Sequence, residues 1–80
     1  MYDEILEYLI DEIARITKKD AADLSETTDV KGELAVKSME LAGVCQSVED
    51  EYDVYLKYME MLHCTTIGEM AKVIENTIEG

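Results

Sequence analysis

Ser38 opens a stretch running to about Tyr52 in which Leu41, Cys45, Val48 and Tyr52 share one helical stripe, flanked by Ala42 and Val44. A hydroxyl there suits a helix N-cap, accepting from a backbone N–H of the first turn. Along the same helix come Glu40, Glu49, Asp50 and Glu51, with Asp53 beyond, and no basic residue interrupts Met39 to Leu56. Such a run ordinarily forms a solvated face. It also suits docking to a basic patch, where opposite charge speeds encounter and fixes orientation more than it adds affinity. Asp29 to Glu40 mimics a calcium loop, with acids at its first and twelfth positions. Lys31 and Lys37 occupy ligand positions, however, and Leu34 replaces the turn glycine, which excludes that site. His63-Cys64 and distant Cys45 lack paired zinc spacing. His63 is the only histidine, which excludes most Cys–His schemes that need further partners, and no acid, base and nucleophile constellation marks an enzyme.

The elements around Ser38 read as helices. From Tyr2 to about Ile16, Ile5, Leu6, Leu9, Ile10, Ile13 and Ile16 recur at helical spacing. Asp3 and Glu4 begin that helix and Lys18 and Lys19 close it, each with the dipole. A long polar connection follows, Asp20 to Lys37, with Leu24, Val30 and Leu34 as expected anchors. After the second helix, Asp53 to Lys57 reads as a connection and Tyr58 to Leu62 as a short helical turn. Thr66-Ile-Gly-Glu69 fits a capping box ahead of Ile67, Met70, Ala71, Ile74 and Ile78 on one face, with Val73 beside them. Tyr52, Tyr55 and Tyr58 read as core and rim residues around the short helix, not a base-stacking platform. Met39, Met59, Met61 and Met70 read as adaptable core filling, or more pointedly as the lining of a cavity that opens for an acyl chain. The expectation is one all-α domain over 1–80, a four-helix bundle of three main helices and one short one with a long first loop.

Charge and cysteine usage limit the partners. The chain has 80 residues, 19 Asp+Glu against 7 Lys+Arg and a net charge of -12. That balance argues against nucleic acid and anionic membranes, which need a basic footprint. Self-repulsion in a domain this small implies modest stability that salt should improve. Cys45 and Cys64 are expected as free thiols in a reducing compartment. No apolar run is long enough for a membrane span, and Met1-Tyr-Asp-Glu lacks the basic start of a signal peptide. The expected location is cytoplasmic and the expected state a monomer.

Taken in order, three segments resemble the acyl carrier protein family. Val30-Lys-Gly-Glu-Leu-Ala-Val-Lys-Ser-Met-Glu-Leu resembles its signature, in which a hydrophobic residue, an acidic-Leu-Gly segment and Asp-Ser-Leu lead into a helix. Ser47-Val-Glu-Asp-Glu-Tyr-Asp-Val-Tyr-Leu resembles the acidic, aromatic-terminated end of the family's second helix, and Cys64-Thr-Thr-Ile-Gly-Glu-Met the opening of its last. The resemblance covers essentially the whole chain. It implies a 4'-phosphopantetheine arm joined to Ser38 by a phosphodiester, with an acyl or aminoacyl group held as a thioester on the arm's thiol. A hydroxyl at a helix start aims such a phosphate at free N–H groups and the positive dipole end. The implied partners are a phosphopantetheinyl transferase and acyl-handling synthases with basic docking patches, in fatty-acid, lipid or secondary-metabolite synthesis. Their docking face would comprise Lys37, Met39, Glu40, Gly43, Glu49, Asp50, Glu51 and Asp53. The chain departs from the family at Lys37, usually Asp, at Met39, usually Leu, and at Gly43, often Glu. These departures read as drift on a solvated face, as a specialised carrier, or as a carrier-like domain no longer modified; an unmodified acidic interaction module is the alternative function, and an aminoacyl or peptidyl carrier is a variant of the carrier reading.

Overall fold

A computed structural model describes residues 1–80. Four α-helices form: α1 (Tyr2–Thr17), α2 (Ser38–Tyr52), α3 (Tyr58–Leu62) and α4 (Ile67–Glu79). A 3-10 turn at Ala21–Asp23 interrupts the long connection between α1 and α2. The all-α expectation, with three main helices and one short one, matches this architecture.

The apolar periodicity determines which faces meet. Ile5, Leu9 and Ile13 of α1 are fully buried, as are Val44 and Val48 of α2, Met61 of α3 and Ile67, Met70 and Ile74 of α4. They form one cluster between α1 and the two helices it packs on. α1 and α2 run antiparallel. The Tyr8 hydroxyl donates to the Ser47 carbonyl at 3.1 Å, its ring meets Tyr52 edge-on at 5.6 Å, and Ile16 lies against Gly43. The end of α1 therefore lies at the Ser38 end of α2. Val44, expected beside the α2 stripe, is at its centre, while Ala42 is exposed and Tyr52 half-buried.

The first loop is fastened rather than free. Leu24 and Val30 are buried and Leu34 is half-buried, in line with their expected anchoring. The loop also pairs with the start of α4. Val30 N–H donates to the Thr65 carbonyl at 2.9 Å, Ile67 N–H to that of Thr28 at 3.2 Å, and Gly68 N–H to that of Glu26 at 2.9 Å. Two of these bonds satisfy N–H groups that a helix start leaves open. Thr66 Oγ1 accepts from Glu69 N–H at 3.2 Å, the first half of the expected capping box. The Glu69 carboxylate reaches one residue further back than expected, to Thr65 N–H at 2.8 Å. That bond and the Thr65 hydroxyl hold the Glu69 carboxyl below the usual carboxylate range.

Candidate functional site

The site is built where the loop enters α2. Asp29 Oδ1 accepts from Lys31 N–H at 2.8 Å and Gly32 N–H at 3.0 Å, closing a tight turn. These two bonds, Gly32 first, pull the Asp29 carboxyl down. Leu34 N–H then bonds the Asp29 carbonyl at 3.0 Å and Val36 N–H the Val30 carbonyl at 2.9 Å. Between them Ala35 lies in the left-handed region at φ 51°. The two clamps aim the chain into α2 with Val36 turned to the interior and Lys37, Ser38 and Met39 exposed.

Ser38 is not the N-cap. Lys37 holds that place, with extended backbone, and Ser38 is the first helical residue. The reason is local: Glu40 accepts from Lys37 N–H at 2.9 Å, which fixes the start one residue earlier than a serine cap would. A lysine side chain has no acceptor, so it cannot complete the reciprocal half of a capping box. The N–H groups of Ser38, Met39 and Glu40 consequently have no intrahelical acceptor. The Ser38 hydroxyl makes no hydrogen bond within the protein, while its carbonyl receives the Tyr58 hydroxyl of α3 at 3.4 Å. An exposed, uncommitted hydroxyl beside open N–H groups and an ammonium fits a phosphodiester attachment.

The residues of the expected docking face separate into two kinds. Met39 is 88% exposed, and Lys37, Asp50, Glu51 and Asp53 are exposed as well. Glu40 and Glu49 are half-buried and hold backbone: Glu40 as above, Glu49 through Leu56 N–H at 2.8 Å. Glu49 also closes α2, its carbonyl receiving Asp53 and Val54 N–H, with Asp53 left-handed at φ 54°. Gly43 is half-buried against Ile16. Asp50 and Asp53 therefore lie well away from Ser38, the former twelve residues or about 18 Å along the helix.

Near the entry to α2 the core holds a small apolar cavity of about 30 Å³. Its nine lining residues are all hydrophobic and include Val36 and Leu41 on either side of Ser38, then Val44, Met61, Leu62 and Cys64. The methionine expectation holds for buried Met61 and Met70 and fails for Met39 and for Met59, which is 58% exposed. Tyr55 likewise lies in solvent rather than on a packed rim. Both cysteines are free and buried. Burial, with Glu49 and Cys64 adding, pushes the Cys45 thiol up to about 11, and burial raises Cys64 too. Both shifts disfavour the thiolate, the nucleophilic form. The cavity wall and the Tyr58–Ser38 contact were not legible as a site in the sequence, although the methionine spacing pointed to the region.

This geometry defines a small helical carrier domain, with an exposed serine at a helix start that follows a pinned loop. The sequence model of the family described as the phosphopantetheine attachment site matches residues 7–74, and the chain belongs to that family. No curated protein matches the chain. Members of the family are non-catalytic carriers that bear 4'-phosphopantetheine on a serine. No helix is long and apolar enough to cross a membrane.

Proposed function

We propose that the 80 residues act as one carrier domain, with Ser38 bearing the arm and acyl groups as its cargo. The observation that carries the assignment is the state of the three serines. Ser25 is tied to Thr27 and Thr28 in the loop, and Ser47 is half-buried inside α2 with its carbonyl engaged by Tyr8. Ser38 alone is exposed at a helix start with a free hydroxyl. When bound, the arm supplies the thiol that holds cargo as a thioester. The helices supply recognition, and tethering raises the effective concentration of cargo at each partner's active site.

The all-apolar core cavity has a volume of only about 30 Å³, so it takes a chain only by opening, and its lining would then suit an acyl group over an aminoacyl one, since a buried amine without a partner is costly. This supports a place in fatty-acid, lipid or secondary-metabolite synthesis. Transferase and synthases would approach along α2, steered by Asp50, Glu51 and Asp53. Incubation with coenzyme A, magnesium and a broad-range phosphopantetheinyl transferase should add one phosphopantetheine mass to the wild type and none to Ser38→Ala, whose circular dichroism stays helical. Labelling of Ser38→Ala elsewhere would reject the assignment. Absence of the added mass in every preparation from the native host would favour an unmodified interaction module.

A further inference from the structure

Lys37 replaces an acidic residue of the family signature, and its surroundings assign it a role. Of the chain's seven Lys and Arg, Arg15 pairs with Glu12 and Lys72 with Glu75. Lys37 is exposed and, like Lys18, Lys19, Lys31 and Lys57, makes no ion pair; of these five it alone adjoins Ser38. Glu40, one turn ahead, directs its carboxylate at the Lys37 backbone N–H and makes no ion pair with the ammonium. The Asp29 carboxylate of the preceding loop is occupied by Lys31 and Gly32 N–H groups. An unpaired cation thus adjoins the hydroxyl at which the family places a phosphodiester. That group is singly negative, and the open N–H groups of Ser38, Met39 and Glu40 face the same end of α2. Adjacent Cα atoms are about 3.8 Å apart, so a four-carbon side chain reaches a phosphate on its neighbour by rotamer change alone.

We propose that Lys37 is a positioning residue, the counter-ion of the arm's phosphodiester, and that it holds the base of the arm against the start of α2. The inference rests on Ser38 being the attachment site. An aspartate at this position repels the same phosphate and leaves the arm's base to solvent. In this chain loading itself creates an ion pair, so the loaded form gains stability that Lys37 supplies.

The test compares unloaded and loaded protein for wild type, Lys37→Arg, Lys37→Met and Lys37→Asp, with Ser38→Ala fixing the loading position by mass. The change in melting temperature on loading should be more favourable in wild type than in Lys37→Met by about 1–5 °C at low salt, the scale of an exposed ion pair in a domain this size. Lys37→Arg should keep the effect and Lys37→Asp should reverse it. The differences should collapse near 1 M salt. The phosphodiester's phosphorus-31 resonance should move with salt in the wild type and stay fixed in Lys37→Met. Equal changes on loading in all four proteins, each loaded at Ser38, would overturn the counter-ion role and leave the carrier reading intact. A chain that never loads at Ser38 would overturn both.

Discussion

Two helical glycines should respond in opposite directions to the same added methyl group. At Gly43 a Cβ meets only Ile16 Cδ1, at 3.7 Å, an ordinary van der Waals contact. Gly43 lies inside α2, where alanine is favoured over glycine by about 1 kcal/mol. Gly43→Ala should therefore stabilise by about 0.5–1 kcal/mol. At Gly68 a Cβ comes within 2.8 Å of the Glu26 carbonyl oxygen and 3.1 Å of both Glu26 Cβ and the Tyr2 hydroxyl. The first of these is backbone, held there by the Gly68 N–H bond. Overpacking of this kind costs about 1–3 kcal/mol. Weakening the bond adds about 0.5–1.5 kcal/mol. Gly68 is in the first turn of α4, where the propensity gain is smaller than at mid-helix, so the net loss should be about 1–4 kcal/mol. In a domain of this length each kcal/mol moves the melting temperature by about 4–8 °C. Urea unfolding followed by circular dichroism, with wild-type slopes, would measure both variants. If Gly68→Ala is as stable as wild type, the loop is not fastened to α4 as described. If Gly43→Ala destabilises, the α1–α2 contact is tighter than its 3.7 Å spacing implies.

Lys37→Asp combined with Gly43→Glu restores a family-like acidic approach and should raise loading efficiency by a broad-range transferase about two- to fivefold at low salt, with less gain at high salt. Initial rates no faster than wild type would show that these positions do not limit recognition. With a net charge of -12, the melting temperature should rise with sodium chloride and further with millimolar magnesium through diffuse neutralisation. A saturable single-site calcium response lost in Asp29→Ala would contradict that reading. Asp29, Glu69 and Glu12 have depressed carboxyl pKa values, owing chiefly to backbone N–H bonds in the first two and to the Arg15 hydrogen bond in the third. A depressed value contributes stability that is present above the ordinary carboxylate pKa and is lost as pH falls through the lowered one. An acid titration of stability should accordingly show Asp29→Asn and Glu69→Gln losing less than wild type below about pH 4. Parallel acid curves would remove these two groups from the account.

The helices were readable because their signals are local. Ile5, Leu9 and Ile13 repeat at helical spacing, and all three are fully buried. The approach of Ser38 to a helix start was readable as well, to within one residue. The difference arises because capping depends on which side chain captures the Lys37 N–H, and Glu40 does so from three residues away. Tertiary pairing was less legible. Nothing in Ser25 to Val30 announces that its backbone will bond the start of α4, since main-chain groups carry no side-chain signature. Nor did the acidic run reveal that Glu49 folds back onto Leu56 while Asp50 remains in solvent. A count of charges along a helix does not separate acids that hold backbone from acids free to meet a partner.

Ala35 shows how the loop and the site depend on one another. Ala35 lies in the left-handed region at φ 51°, a conformation that favours glycine. An L-residue there costs about 1–2 kcal/mol. Such strain persists only when the surroundings over-determine it. The Leu34–Asp29 and Val36–Val30 bonds clamp the chain on both sides, and burial of Val30 with partial burial of Val36 anchors those clamps in the core. Val30 is also the residue that bonds Thr65 ahead of α4. One short segment thus ties the last helix, the cavity wall and the entry to α2 together. Ser38 lies at a fixed place because the backbone just before it is tied down by these bonds, while its own hydroxyl makes no hydrogen bond within the protein.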